Sequence, residues 1–200
     1  NEKGEVTAVT ARIWRKDPSL WSSQPDTPEL ANRLGWLDLP REMKKEAGAI
    51  ARFAKEIKDE DYRHVVLLGM GGSSLAPEVF QATCGNTKGH PKLVVVDTTH
   101  PDAIRQVSRK IDPVKTLFLV SSKSVTTIET LSLFSYFWQQ VNDRSPKPGR
   151  NFVAITDPGT SLVQTARERG FRHIFSGPEE VGGRYSALSV FGLVPAALIG

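Results

Sequence analysis

From about residue 41 onward, apolar and polar positions follow two different periods. Met43, Ala47, Ile50, Ala51, Ala54 and Ile57 recur at helical spacing with Lys and Glu opposite, which predicts an amphipathic helix beginning near Arg41. Short continuous apolar runs then take over: HVVLLGM, KLVVVD, TLFLVSS, NFVAIT and RHIF. None alternates with polar residues, as expected of strands covered on both faces. Between them lie LAPEVFQAT, PDAIRQVSRKI, TIETLSLFSYFWQQV and TSLVQTARERG, each long enough for about two to four helical turns. The succession predicts an α/β fold: a doubly wound, five-stranded parallel sheet with helices on both faces and right-handed crossovers.

Residues 1–39 lack such a pattern. They carry three prolines and three of the four tryptophans, and read as an irregular or partly helical extension that packs against a domain spanning residues 40–200. The final stretch, SALSVFGLVPAALIG, shows no closing cap or polar turn, and the chain has no initiator Met. Both features suggest a piece of a longer polypeptide, with the domain truncated at its C-terminus. The apolar stretch from Ala187 to Gly200 is too short to cross a bilayer and contains Pro195.

Composition narrows the partners. With 39% hydrophobic and 24% charged residues, the chain has the make-up of a globular domain. A net charge of +4 and a pI near 9.3 favour anionic ligands. The Lys and Arg residues are scattered and not interleaved with aromatics, which argues against nucleic acid. A single cysteine, Cys84, cannot form an internal disulfide; with no signal pattern at the start, this points to the cytoplasm. No His, Cys or carboxylate cluster has metal-ligand spacing.

In doubly wound sheets ligands bind at the carboxyl ends of the strands. The five runs are followed there by glycines and hydroxyls: GMGGSS after the first, DTTHPD after the second, SSKSVTTIET after the third and TDPGT after the fourth. A phosphate dianion needs hydroxyl and amide donors at a helix N-terminus and glycines that let it approach the backbone. SSKSVTTIET places Ser121, Ser122, Ser124, Thr126 and Thr127 at a helix start. One of them would suffice as a cap, with Thr127 or Glu129 closing a capping box; five point to an anion. GMGGSS has a rival reading, because Gly69 and Gly71 open a dinucleotide fingerprint and Asp97 ends the next strand. Ser74, however, stands where the third glycine belongs. Further on, GGRYS combines two glycines with Arg184 behind the acidic pair Glu179 and Glu180. That guanidinium either faces a ligand or closes a structural salt bridge. Among the histidines, His64, His90 and His173 read as structural, and His100 in THPD reads as a helix start.

GMGGSSLAP, SSKSVTTIET and EEVGGRYSALSVFG together resemble, in order and spacing, the sugar-phosphate-binding half of phosphoglucose isomerase. Bacterial forms are closest, including those fused behind a transaldolase. The resemblance covers most of the chain from about Arg41. It implies a sugar-isomerase (SIS) domain with the flavodoxin-like strand order. Ser122, Ser124 and Thr127, with the backbone around Lys123, would hold the phosphate of glucose 6-phosphate or fructose 6-phosphate. Gly72 and Ser73 would line the sugar pocket, and Arg184 would stabilise a cis-enediolate. No cofactor or metal is implied; subunits would pair as a homodimer. Val125 departs from the pattern, standing where bacterial relatives commonly have Gly, and its φ is expected to be negative.

The family's general base, a glutamate, and its ring-opening histidine and lysine would lie further along the chain in a second SIS half. The 200 residues alone are therefore expected to be inactive. Two other readings stay open: a non-catalytic SIS module that senses a sugar phosphate, and a dinucleotide-binding domain.

Overall fold

The structure, a computed structural model, describes residues 2–24, 27, 29–30, 32–124 and 127–200. Val125 and its expected φ lie outside the described residues. Among the described residues, seven α-helices and five strands follow in the order α1 Glu2–Trp14, α2 Leu39–Asp59, β1 His64–Gly69, α3 Leu75–Cys84, β2 Lys92–Val96, α4 Pro101–Lys110, β3 Thr116–Ser121, α5 Ile128–Asn142, β4 Phe152–Thr156, α6 Ser161–Glu168, β5 His173–Ser176 and α7 Val190–Ile199. All strand pairs are parallel, in the order β2-β1-β3-β4-β5. This is the doubly wound arrangement expected from the apolar runs, in the flavodoxin-like order that the resemblance implies.

The pleat splits the continuous runs into two cores. Val65, Leu67, Leu117, Leu119, Val153 and Ile155 face α2 and α7, while Val66, Leu68, Phe118, Val120, Phe152 and Ala154 face α5 and α6. Strands buried on both faces need apolar residues at every position, which is why they read as runs. Phe118, Phe137 and Phe152 are fully buried, each stabilising the fold by about 2–3 kcal/mol.

One local expectation changes. Helix α2 begins at Leu39, with Pro40 in its first turn, and buries Leu39 and Phe53. Ala47 and Ala51 of the expected stripe are exposed. A large ring on the boundary of the apolar arc reaches the core where a methyl does not. The extension opens with the 13-residue helix α1, whose Val9 and Trp14 remain exposed. Ser189 caps the start of α7, its hydroxyl accepting from the Phe191 amide at 3.3 Å. Helix α7 is apolar all round because it is buried, against α2 on one side and α3 on another. Among the described residues, no helix is long and apolar enough to cross a membrane.

Candidate active site

Parallel strands bring their carboxyl ends to one edge, and four loops converge there. A cavity of about 460 Å³ opens between them. Gly72 and Ser73 reach it from the β1–α3 turn, and Ser122, Lys123, Ser124 and Thr127 from the β3–α5 loop. Arg184 reaches it from the helical turn Gly183–Leu188. All seven residues singled out from the sequence thus share one hollow.

The β3–α5 loop is held by its flanks. Ser122 donates its amide to Ile155 O at 3.0 Å, extending the sheet by one rung, and is buried. Thr127 is the N-cap residue of α5, yet its hydroxyl makes no capping hydrogen bond. The N-terminus of α5 borders the same hollow and adds its dipole there.

The Lys123 side chain ties two loops together. Its ammonium donates to Asp157 Oδ1 at 2.7 Å and to Pro178 O at 3.0 Å, and lies over the Phe191 ring at 5.4 Å. Burial pushes the Asp157 carboxyl above the usual carboxylate range, and the Lys123 ammonium pulls it part of the way back. A raised folded-state pKa makes Asp157 increasingly unfavourable as pH rises from its unfolded value towards the folded one. Lys123→Met removes the partner and raises the pKa further. The variant is expected to lose about 2 kcal/mol at pH 7, less than a fully buried pair would cost because both groups keep some solvent contact. The deficit should shrink below about pH 4, where the carboxyl is protonated. Urea unfolding at both pH values checks this, and an equal deficit at each would remove Asp157 from the account.

The glycine crowding has a different cause from the one the sequence suggested. A Cβ on Gly72 would lie 2.4 Å from Gly183 O and 2.5 Å from its carbonyl carbon. What approaches the backbone here is the GGRYS turn, so the β1–α3 turn and the Arg184 turn pack main chain against main chain. Ser186 clips them, its hydroxyl donating to Gly183 O at 2.7 Å and to Gly72 O at 3.3 Å. Gly71, the second glycine of the dinucleotide reading, has φ +54° and nothing within 4 Å of where a Cβ would stand.

Charge at the cavity is uneven. Lys123 faces Asp157, and Arg33 lies 3.6 Å from Glu29. Arg184, exposed to solvent, forms no ion pair among the described residues. The salt bridge that would have made it structural is therefore not found there, and Glu180 pairs instead with Lys16 at 3.3 Å. An uncompensated guanidinium facing hydroxyls selects an anion.

Sequence reasoning missed several residues of the wall. Arg33 and Glu29 come from the extension, and Tyr185 is the neighbour of Arg184. Only tertiary packing brings Arg33 here, and no local pattern marked it. Thr130, one helical turn into α5, is fully buried at the cavity, and its hydroxyl has no hydrogen-bond partner. It lies within the quoted SSKSVTTIET stretch and was legible in principle. Asp97 is exposed beyond β2, and His100 caps α4 by accepting from the Asp102 amide at 3.3 Å, as THPD suggested.

A parallel sheet in this order, with a hollow lined by hydroxyls, glycines and a guanidinium at its carboxyl edge, defines a doubly wound α/β protein. The phosphoglucose isomerase family model matches residues 43–200. A glucose-6-phosphate isomerase from Carboxydothermus hydrogenoformans is 35% identical over 181 residues, covering 84% of this chain and 38% of that protein. The crystal structure of a hypothetical protein from Thermus thermophilus is similar with a TM-score of 0.79 at 30% identity, covering 99% of this chain and 46% of that one. That of a glucose-6-phosphate isomerase from Chlamydia trachomatis gives 0.71 at 26%, covering 92% and 34%. The chain belongs to the phosphoglucose isomerase family. It spans about 38–41% of the length of the first curated relatives it matches.

Proposed function

We propose that this chain forms the sugar-phosphate-binding half of an isomerase that interconverts glucose 6-phosphate and fructose 6-phosphate. The observation that carries the reading is the meeting of the seven sequence-selected residues in one cavity, with Arg184 free of carboxylate partners among the described residues. Ser122, Ser124 and Thr127, with the amides around Lys123, hold the phosphate; Gly72 and Ser73 border the sugar. Arg184 stabilises the oxygen that becomes negative as a proton moves between C2 and C1 through a cis-enediolate. A fixed guanidinium aimed at that oxygen commonly lowers the barrier of such a reaction more than any other group does.

The two carboxylates at the cavity are both beside cations, Asp157 with Lys123 and Glu29 with Arg33. Neither is poised as the base for the C2 proton, so the general base and the ring-opening groups belong to a second half of the protein, and the 200 residues alone turn over no substrate. They still bind. Three or four hydrogen bonds to one phosphate, net of desolvation, give about 4 kcal/mol, or a dissociation constant near 1 mM. Titrating the chain with fructose 6-phosphate by NMR should shift the amides of residues 122–127 together with Arg184, saturating in the millimolar range. No shift at 10 mM, taken as about ten dissociation constants, would contradict the assignment, and turnover by the isolated chain would contradict its silence. NAD serves as the control: shifts with NAD and none with the sugar phosphate favour the dinucleotide reading.

A further inference from the structure

The Arg184 turn is gripped from outside by the extension at five points that belong to no other element. Gly35 donates its amide to Glu180 O at 3.0 Å, and Leu34 pairs antiparallel with Val181. Arg33 donates to Glu179 O at 3.1 Å. Trp36 stacks on Tyr185 with ring centroids 5.6 Å apart and planes 19° from parallel. Lys16 bridges Asp38 at 2.9 Å and Glu180 at 3.3 Å. Asp38 stands at the N-cap of α2, yet its carboxylate is turned to Lys16 and Arg41 and makes no capping bond.

We infer that residues 33–38, fastened by Lys16, are a positioning strap that sets where Arg184 stands in the cavity. On its inner side the turn touches the β1–α3 loop through Gly72 and Ser186; its outer side is held by the strap. Arg184 itself has no ion pair among the described residues to fix it, so the backbone of its turn must do so. Gly35 shows how close the grip is: a Cβ there would lie 2.8 Å from Glu180 Cβ and 2.9 Å from Glu180 O. Trp36 does not border the cavity and acts on it only through Tyr185, the neighbour of Arg184. Trp36 is thus a positioning residue, and the phosphate loop on β3–α5 lies outside its reach.

The inference rests on the reading of Arg184 given above, and kinetics of the full-length protein with fructose 6-phosphate separate the two. Trp36→Leu should lower kcat on the order of tenfold to a hundredfold, as a misplaced catalytic group does, with KM little changed. Trp36→Phe, which keeps a ring to stack, should restore most of the loss. Gly35→Ala should reproduce the fall in kcat without touching the stacked rings. Arg184→Lys should lower kcat by itself, and adding Trp36→Leu to it should cost little more, since both act through one group. If Arg184→Lys lowers kcat while Trp36→Leu leaves it unaltered, or the two losses multiply, the strap is overturned and the role of Arg184 stands. A fall in thermal midpoint with KM and kcat worsening together in Trp36→Leu overturns the strap too, by making Trp36 a general support. Unchanged kcat in Arg184→Lys overturns both.

Discussion

Arg184→Ala in the full-length protein is expected to lower kcat for sugar-phosphate isomerisation by about 10²–10³-fold while changing KM less than about threefold. The asymmetry follows from where charge resides. On the proposed reading the phosphate is anionic before, during and after reaction, and the β3–α5 hydroxyls serve it equally throughout. The enediolate oxygen is negative only in flight, and Arg184 carries the positive charge at the cavity without a carboxylate beside it among the described residues. Lysine restores the charge but not the planar fork, so Arg184→Lys should recover only part of the rate. Steady-state kinetics in both directions check this. A rise in KM with kcat intact would make Arg184 a ground-state phosphate ligand and move the enediolate role elsewhere.

Gly72→Ala is expected to destabilise the fold by about 2–3 kcal/mol, lowering the thermal midpoint by roughly 5–10 °C. A methyl at this position meets Gly183 O at 2.4 Å and Gly183 Cα at 3.0 Å, and both belong to main chain that cannot rotate aside. Relief requires the Arg184 turn to back away, which opens the cavity. Sugar-phosphate affinity should therefore fall with stability, by more than about tenfold. The contact is one-sided: a Cβ on Gly183 would find only Gly72 Cα, at 4.0 Å. Gly183→Ala should accordingly unfold within about 2 °C of the parent. Paired melting curves decide the matter; similar midpoints for the two alanines would mean that the two turns do not pack as described.

The sheet was legible because its strands are buried on both faces. Every position in VVLL (65–68) and LFLV (117–120) is buried and apolar. The place of SSKSVTTIET at the cavity was legible because it follows the third strand, and Ser122, Ser124 and Thr127 do border the hollow at that carboxyl end. Side-chain direction was not legible. Lys123 stands in the same stretch, yet its ammonium crosses to Asp157 and Pro178, residues set beside it by the registers of β3 with β4 and of β4 with β5. Glycine carries the same ambiguity: GMGG announces a close approach without saying whether a ligand or another turn makes it. The extension was hardest to read. Helix α1 leaves Val9 and Trp14 exposed and shows no apolar stripe, and the contacts of residues 33–38 are with Glu179–Tyr185, nearly 150 positions later in the chain.

That α7 is central to the core and is made only after all five strands of the sheet bears on how the protein folds. Val194 and Leu198 are fully enclosed against a helix that begins at Leu39 and against β-strands finished long before. While the polypeptide is still emerging, α2 and the sheet face beneath it present a greasy, unclosed trough to the cell. Folding can become cooperative only after the last turn of α7 has been released. A nascent chain arrested before Val190 should therefore recruit chaperones, and one arrested well past Gly200 should not.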